Sequence, residues 1–323
     1  MNQPVVHVMA IFFTCLSWNN NAGADNKCGK LYTGIVKDRQ GAVHEPLNPE
    51  AGIDKSKSIE IFKKIAADSK HNDLKALWGN CVNFDEFAKT TIVEPRTIDR
   101  ILSVFGAPPR DGLVVHAAAE HLYGYLFSTI KTPYGFKWER WLTHNIDLRF
   151  GLPGGVISPL PAEGSIFTNL TYFLGRIALR DFPDKIRILE KTGKHAARPL
   201  VGYPFKNLKI SRITETIEIR QSNGTMRTVT FRKDIVFYPA ASETDNYKAL
   251  LVYSITDSRD GSAKLISAFP ISDQYIANLL KQENFGKDLA IHSEYNAHVQ
   301  NVTGATKTFT GTRTLSHGFD TPK

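Results

Sequence analysis

Cysteine is scarce in this chain: three residues in 323, with no Cys-x-x-Cys pair among them. That excludes a small disulfide-stapled scaffold, a zinc ribbon and a thioredoxin-like redox site. The glycines never fall in the Gly-x-Gly-x-x-Gly order that cradles a dinucleotide, and no phosphate-binding loop ending in Lys-Ser/Thr occurs. Nucleotide cofactors therefore have no support in the sequence. No serine occupies a Gly-x-Ser-x-Gly elbow, which removes the nucleophile signature of α/β-hydrolases. Long apolar runs are also missing. Even residues 166–179 are interrupted by Asn169 and Arg176, whereas a bilayer-spanning helix needs about 20 apolar residues.

What remains has a globular composition, 42% hydrophobic and 22% charged, with apolar material for one large core or two modest ones. Residues 5–18 are almost wholly apolar and hold no Lys, Arg, Asp or Glu. A run of that length fits the hydrophobic region of a secretory signal, although no Lys or Arg precedes it. Ala22-Gly23-Ala24 supplies the small-x-small pattern of a cleavage site, so the cut is expected before Asp25. Residues 1–24 thus read as a signal peptide, and the product as secreted or periplasmic. Cys28 and Cys81 would remain after cleavage. In an oxidising compartment they form one candidate disulfide, worth about 4 kcal/mol in the chain-entropy account.

The signal carries no formal charge, so the mature chain keeps the whole +8. Its distribution is uneven. Residues 176–212 contain ten Lys and Arg against Asp181, Asp184 and Glu190, a net of +7. Such a segment attracts a polyanion, with affinity that falls as salt rises. Arg198, Lys206, Lys209 and Arg212 are expected to stay exposed on the passage from loop to strand.

Hydrophobic periodicity divides the chain into unlike halves. Ile98, Ile101, Leu102 and Phe105 recur at helical spacing, and residues 25–150 read as mainly helical, including a run over 111–129. Residues 151–205 read as a breaker-rich loop over 151–164, a helix over 166–179, a turn at 181–184 and a further short helix. Residues 206–323 change to strand alternation, with Asn223-Gly224 and Asp260-Gly261 as hairpin turns and Ser272 capping a helix. Residues 292–299 and 307–313 are further strand candidates. The expected class is α+β: a helical amino-terminal half packed with an antiparallel sheet from the carboxy-terminal half, possibly as one continuous domain over 25–323.

Two histidine-bearing stretches carry candidate acid/base chemistry. In a helix, His116 and Glu120 share a face, and the carboxylate would raise the imidazole pKa. His121 is rotated by about 140° from His116, so the zinc-hydrolase spacing is not met. In a strand, His292, Glu294, Asn296 and His298 point the same way. The plainer reading of both is packing or a solvated face, and neither spacing names a metal.

The aromatic run over 123–150 includes Trp138 and Trp141, rings suited to stacking on sugars, although most such rings belong to cores. Together these features lean towards an exported hydrolase acting on an anionic or sugar-containing polymer. The alternative is a non-catalytic binding protein that recognises a polyanion, a polysaccharide, an envelope component or a partner protein through the same basic, aromatic surface.

Overall fold

The computed structural model describes residues 63, 67–68, 70–78, 84–85, 90–91, 113–115, 146–158, 161–220, 224, 226–239, 242–258, 261–281, 297–299 and 309–317. In chain order the helices are α1 (Asn72–Lys75), α2 (Ile146–Arg149), α3 (Ile166–Ala178), α4 (Pro183–Thr192), α5 (Arg198–Val201) and α6 (Asp273–Leu280). The strands are β1 (Phe84–Asp85), β2 (Thr90–Thr91), β3 (Leu113–Val115), β4 (Ile210–Arg220), β5 (Met226–Phe237), β6 (Tyr247–Asp257), β7 (Ala263–Ser272), β8 (Ala297–Val299) and β9 (Phe309–His317).

The centre is a five-stranded antiparallel sheet in the order β7-β6-β5-β4-β9. Both expected hairpins form. β4 and β5 pair from Ile210↔Val236 to Arg220↔Met226, and Gly224 sits beyond them at φ +81°. β6 and β7 are joined past Gly261 at φ +63°. A side chain would be strained at either glycine.

The inner strand β6 is buried on both faces, which explains why it reads as an apolar run rather than an alternation. One face lies under α3, whose residues are buried except at Arg176. The other lies under α6, where Ile213, Ile235, Ala249, Leu251, Ile271 and Ile276 form a second cluster. Each covering helix starts where its sequence says it should. Ser165 Oγ accepts from Thr168 N at 3.1 Å, while Thr168 Oγ1 accepts from Ser165 N at 3.0 Å. Ser272 Oγ accepts from Tyr275 N at 3.3 Å, and Pro183 occupies the first turn of α4.

The chain is therefore mixed α+β with an antiparallel sheet from its carboxy-terminal part. The expected helical amino-terminal half falls largely outside the described residues. Two described pieces of it are informative. Residues 76–78 lie along the β7 edge: Leu265 N donates to Leu77 O at 2.7 Å, and Trp78 Nε1 donates to buried Thr171 Oγ1 at 2.9 Å. The helix expected over 111–129 needs correction, because Leu113–Val115 is a strand paired antiparallel with Ala297–Val299. Two adjacent valines favour the extended backbone, and the β8 ladder supplies a partner that local periodicity does not reveal.

The loop over 151–164 is held from inside. Asn169, wholly buried, donates to Val156 O at 2.7 Å and Glu163 O at 3.0 Å, and accepts from Ala197 N at 2.8 Å. Asp147 accepts from Ile157 N at 2.7 Å, and burial raises its pKa despite these backbone donors. Asn169→Ala strands two carbonyls and an N–H, so it should lower unfolding free energy by about 2–4 kcal/mol, read as a lower urea midpoint with an unchanged slope.

Candidate anion-binding face

Within the basic segment, all three acids are already engaged. Glu190 pairs with Arg176 at 3.0 Å, Asp184 pairs with Arg187, and Asp181 pairs with Arg212. Arg180 is buried against Asp234 at 3.1 Å. The other six cations, Lys185, Lys191, Lys194, Arg198, Lys206 and Lys209, have no ion-pair partner among the described residues. Five are exposed and Lys185 is half-buried. Uncompensated charges along one stretch raise the local potential, attracting counterions or a polyanion.

The elements that carry these cations are anchored to the core. Lys185 and Lys191 stand on α4, whose Leu189 is fully buried and packs by its methyls close to Gly175 of α3. Arg198 opens α5, where its backbone N–H donates to Glu163 Oε2 at 3.1 Å. Lys206 lies in the single turn Phe205–Asn207, whose Phe205 ring packs edge-on to Tyr203 at 5.0 Å. Burial raises the Tyr203 hydroxyl to about 12. Lys209 leads into β4 with its ammonium 5.2 Å from the Phe237 ring centroid.

Arg212 does not join this exposed set. It is 5% exposed on the α3-facing side of β4, at the register position opposite Asp234. Its Nε and Nη2 donate to Asp234 Oδ1 and Oδ2 at 2.7 and 2.8 Å, a two-point clamp. Nη2 also reaches Ile177 O at 3.4 Å and Ala178 O at 3.3 Å, where α3 ends. Burial disfavours the charged guanidinium, but the Asp234 and Asp181 carboxylates outweigh it and hold the pKa above its usual range. Strand periodicity alone assigns Arg212 a face. It does not say that α3 covers that face.

Other sequence candidates meet different fates. His298 lies in β8, its backbone paired with Val114. His116, Glu120, His292, Glu294, Trp138, Trp141, Cys28 and Cys81 lie outside the described residues. Phe150 of the aromatic run is core, edge-on to Phe173 at 5.1 Å and Tyr238 at 5.2 Å. In the central loop, Ser165 caps α3 and Ser158 Oγ donates to Gly155 O at 3.1 Å. Among the described residues, no group of three or more His, Cys, Asp or Glu is placed to hold a metal ion, and no helix is long and apolar enough to cross a membrane.

Arg232 escaped the sequence reading because it falls outside the basic segment. Its guanidinium lies over the Phe182 ring at 4.8 Å and donates to Thr256 Oγ1 at 2.9 Å. Burial, followed by repulsion from Arg212, lowers its pKa.

The Arg212–Asp234 clamp yields a stability test. Arg212→Met leaves a buried carboxylate short of donors and should cost about 3–5 kcal/mol in urea unfolding, whereas Arg212→Met with Asp234→Leu should recover part of the loss. No protein-family model, curated protein or solved structure was found to match this chain.

Proposed function

We propose that this chain is an exported protein that binds an acidic polysaccharide through the surface between residues 185 and 209. One observation carries the reading. The carboxylates of this segment are spent on arginines, and six cations on α4, α5 and the approach to β4 lack an ion-pair partner among the described residues. The buried Asn169 side chain and Glu163 hold the backbone at Ala197 and Arg198 in place. The apolar leader over 5–18 supports an extracytoplasmic setting, where acidic polysaccharides are abundant polyanions.

The test uses Arg198→Glu with Lys209→Glu and a sulfated polysaccharide as probe. The plot of log affinity against log salt should lose about 1 from its slope for each contact removed. A slope equal to that of the unmodified chain rejects this face. Tighter retention on duplex DNA than on the polysaccharide reassigns the polymer.

Hydrolysis of the same polymer is the second reading, supported by the β3–β8 pairing that sets the His298 backbone beside the strand leading to His116. His116→Ala and Glu120→Ala should each reduce polymer cleavage by about 100-fold or more with binding retained. Reducing-end release in a time course reads this out, and equal release by all three chains would exclude the pair as acid and base.

A further inference from the structure

Beneath the turn between α3 and α4, two guanidiniums share one partly exposed carboxylate. Arg212 on β4 and Arg232 on β5 rise from the α3-facing side of the sheet. Asp181 pairs with Arg212, and its Oδ2 lies 3.9 Å from Arg232 Nε. The exposures differ in a useful way: 6% for the Arg212 side chain, 16% for Arg232 and 44% for Asp181. The two cations are thus fixed from below, Arg212 by Asp234 and Arg232 by Thr256 and the Phe182 ring. The carboxylate reaches them from the solvent side.

A second observation lies beside the first. Ser254 is directly across from Arg232 in the β5–β6 ladder and is wholly buried, and its hydroxyl has no hydrogen-bond partner among the described residues. Buried hydroxyls are normally satisfied, so one left open across the ladder from Arg232, whose guanidinium lacks a close carboxylate, is a donor in reserve.

We infer that Arg212 and Arg232, with Ser254, form a subsite for one oxyanion group of a polymer, a sulfate, phosphate or carboxylate, and that Asp181 occupies this subsite in the free protein. The inference rests on the proposed polyanion reading, since it supplies the anchoring point from which the strand would run onto Lys185 and Lys191. Arg212 Nε and Nη2 are taken by Asp234, and Arg232 Nη1 by Thr256. Arg212 Nη1 and Arg232 Nε are then the nitrogens that face Asp181, one from each guanidinium, fixed in place as the ammonium groups of exposed lysines are not. Displacing Asp181 is cheap because a half-solvated carboxylate gives up little by turning to water. The lowering of the Arg232 pKa from its usual range, due first to burial and then to Arg212, accords with a guanidinium that a further anion would stabilise.

The experiment is calorimetric titration of the full chain with sodium sulfate, phosphate and acetate at constant ionic strength, with sodium chloride as the control. Asp181→Asn should tighten the preferred oxyanion about threefold to fivefold, the scale of a competing pair whose carboxylate is partly in water. Arg232→Gln should abolish the heat, and thermal melts of both variants should match the unmodified chain. The preferred anion names the group recognised. Equal affinity in the unmodified and Asp181→Asn chains, or chloride binding as well as the oxyanions, overturns the subsite. Should Arg232→Gln melt early, the Asp181→Asn comparison decides alone.

Retention on the sulfated polysaccharide is measured in parallel. Retention without the Asp181→Asn effect leaves the face and rejects the subsite. The effect without retention leaves a small-anion site and rejects the polymer.

Discussion

The clamp between Arg212 and Asp234 is the contact on which the rest of this arrangement depends. Asp234 is wholly buried and receives Arg212 through two nitrogens and Arg180 through one. Removing such a carboxylate from water costs several kcal/mol, repaid only when its oxygens are fully met. Both arginines also donate to the last carbonyls of α3, Arg180 to Ile177 O at 2.8 Å and Arg212 to Ile177 and Ala178. Cations at that end complement the helix dipole. The cluster therefore specifies where α3 stops, how it sits on β4 and β5, and where Pro183 can begin α4.

Charge organisation follows from that constraint. Arg180 and Arg212 turn inward because Asp234 lies beneath them, and Asp181 turns towards Arg212. On the opposite face of the sheet, Glu215 meets Lys233 at 3.0 Å and Arg313 at 3.8 Å, and Asp257 meets Arg227. Acids are thereby consumed in the interior and at the sheet, leaving the stretch from α4 to the start of β4 cationic.

Local signals were read well where a residue's own backbone preference decides. Gly224 and Gly261 hold positive φ where the hairpins turn, and Ser272 caps α6. Ser165 caps α3 and Pro183 opens α4 by the same local chemistry, although the sequence pattern assigns Pro183 to a turn over 181–184 and gives Ser165 no capping role. The strand over 309–317 was expected over 307–313, its interior visible and its end not. Leu113–Val115 was misread as helix because its neighbourhood is rich in Ala and Leu, whereas its state was decided by a ladder to residues far along the chain. Of the four basic residues singled out, Arg198, Lys206 and Lys209 are exposed and Arg212 is buried.

By itself, the sequence determined the sheet's hairpins, the helix starts and the concentration of positive charge over 176–212, since turn chemistry, capping and net charge are local properties. Tertiary structure alone decided which of those charges face water. It also brought Arg232 to Asp181 at the turn, with Thr256 bonded to its guanidinium and Ser254 across the ladder from it. Those residues come from separate strands, and their convergence follows from strand register and the placement of α3, neither of which is encoded in spacing along the chain.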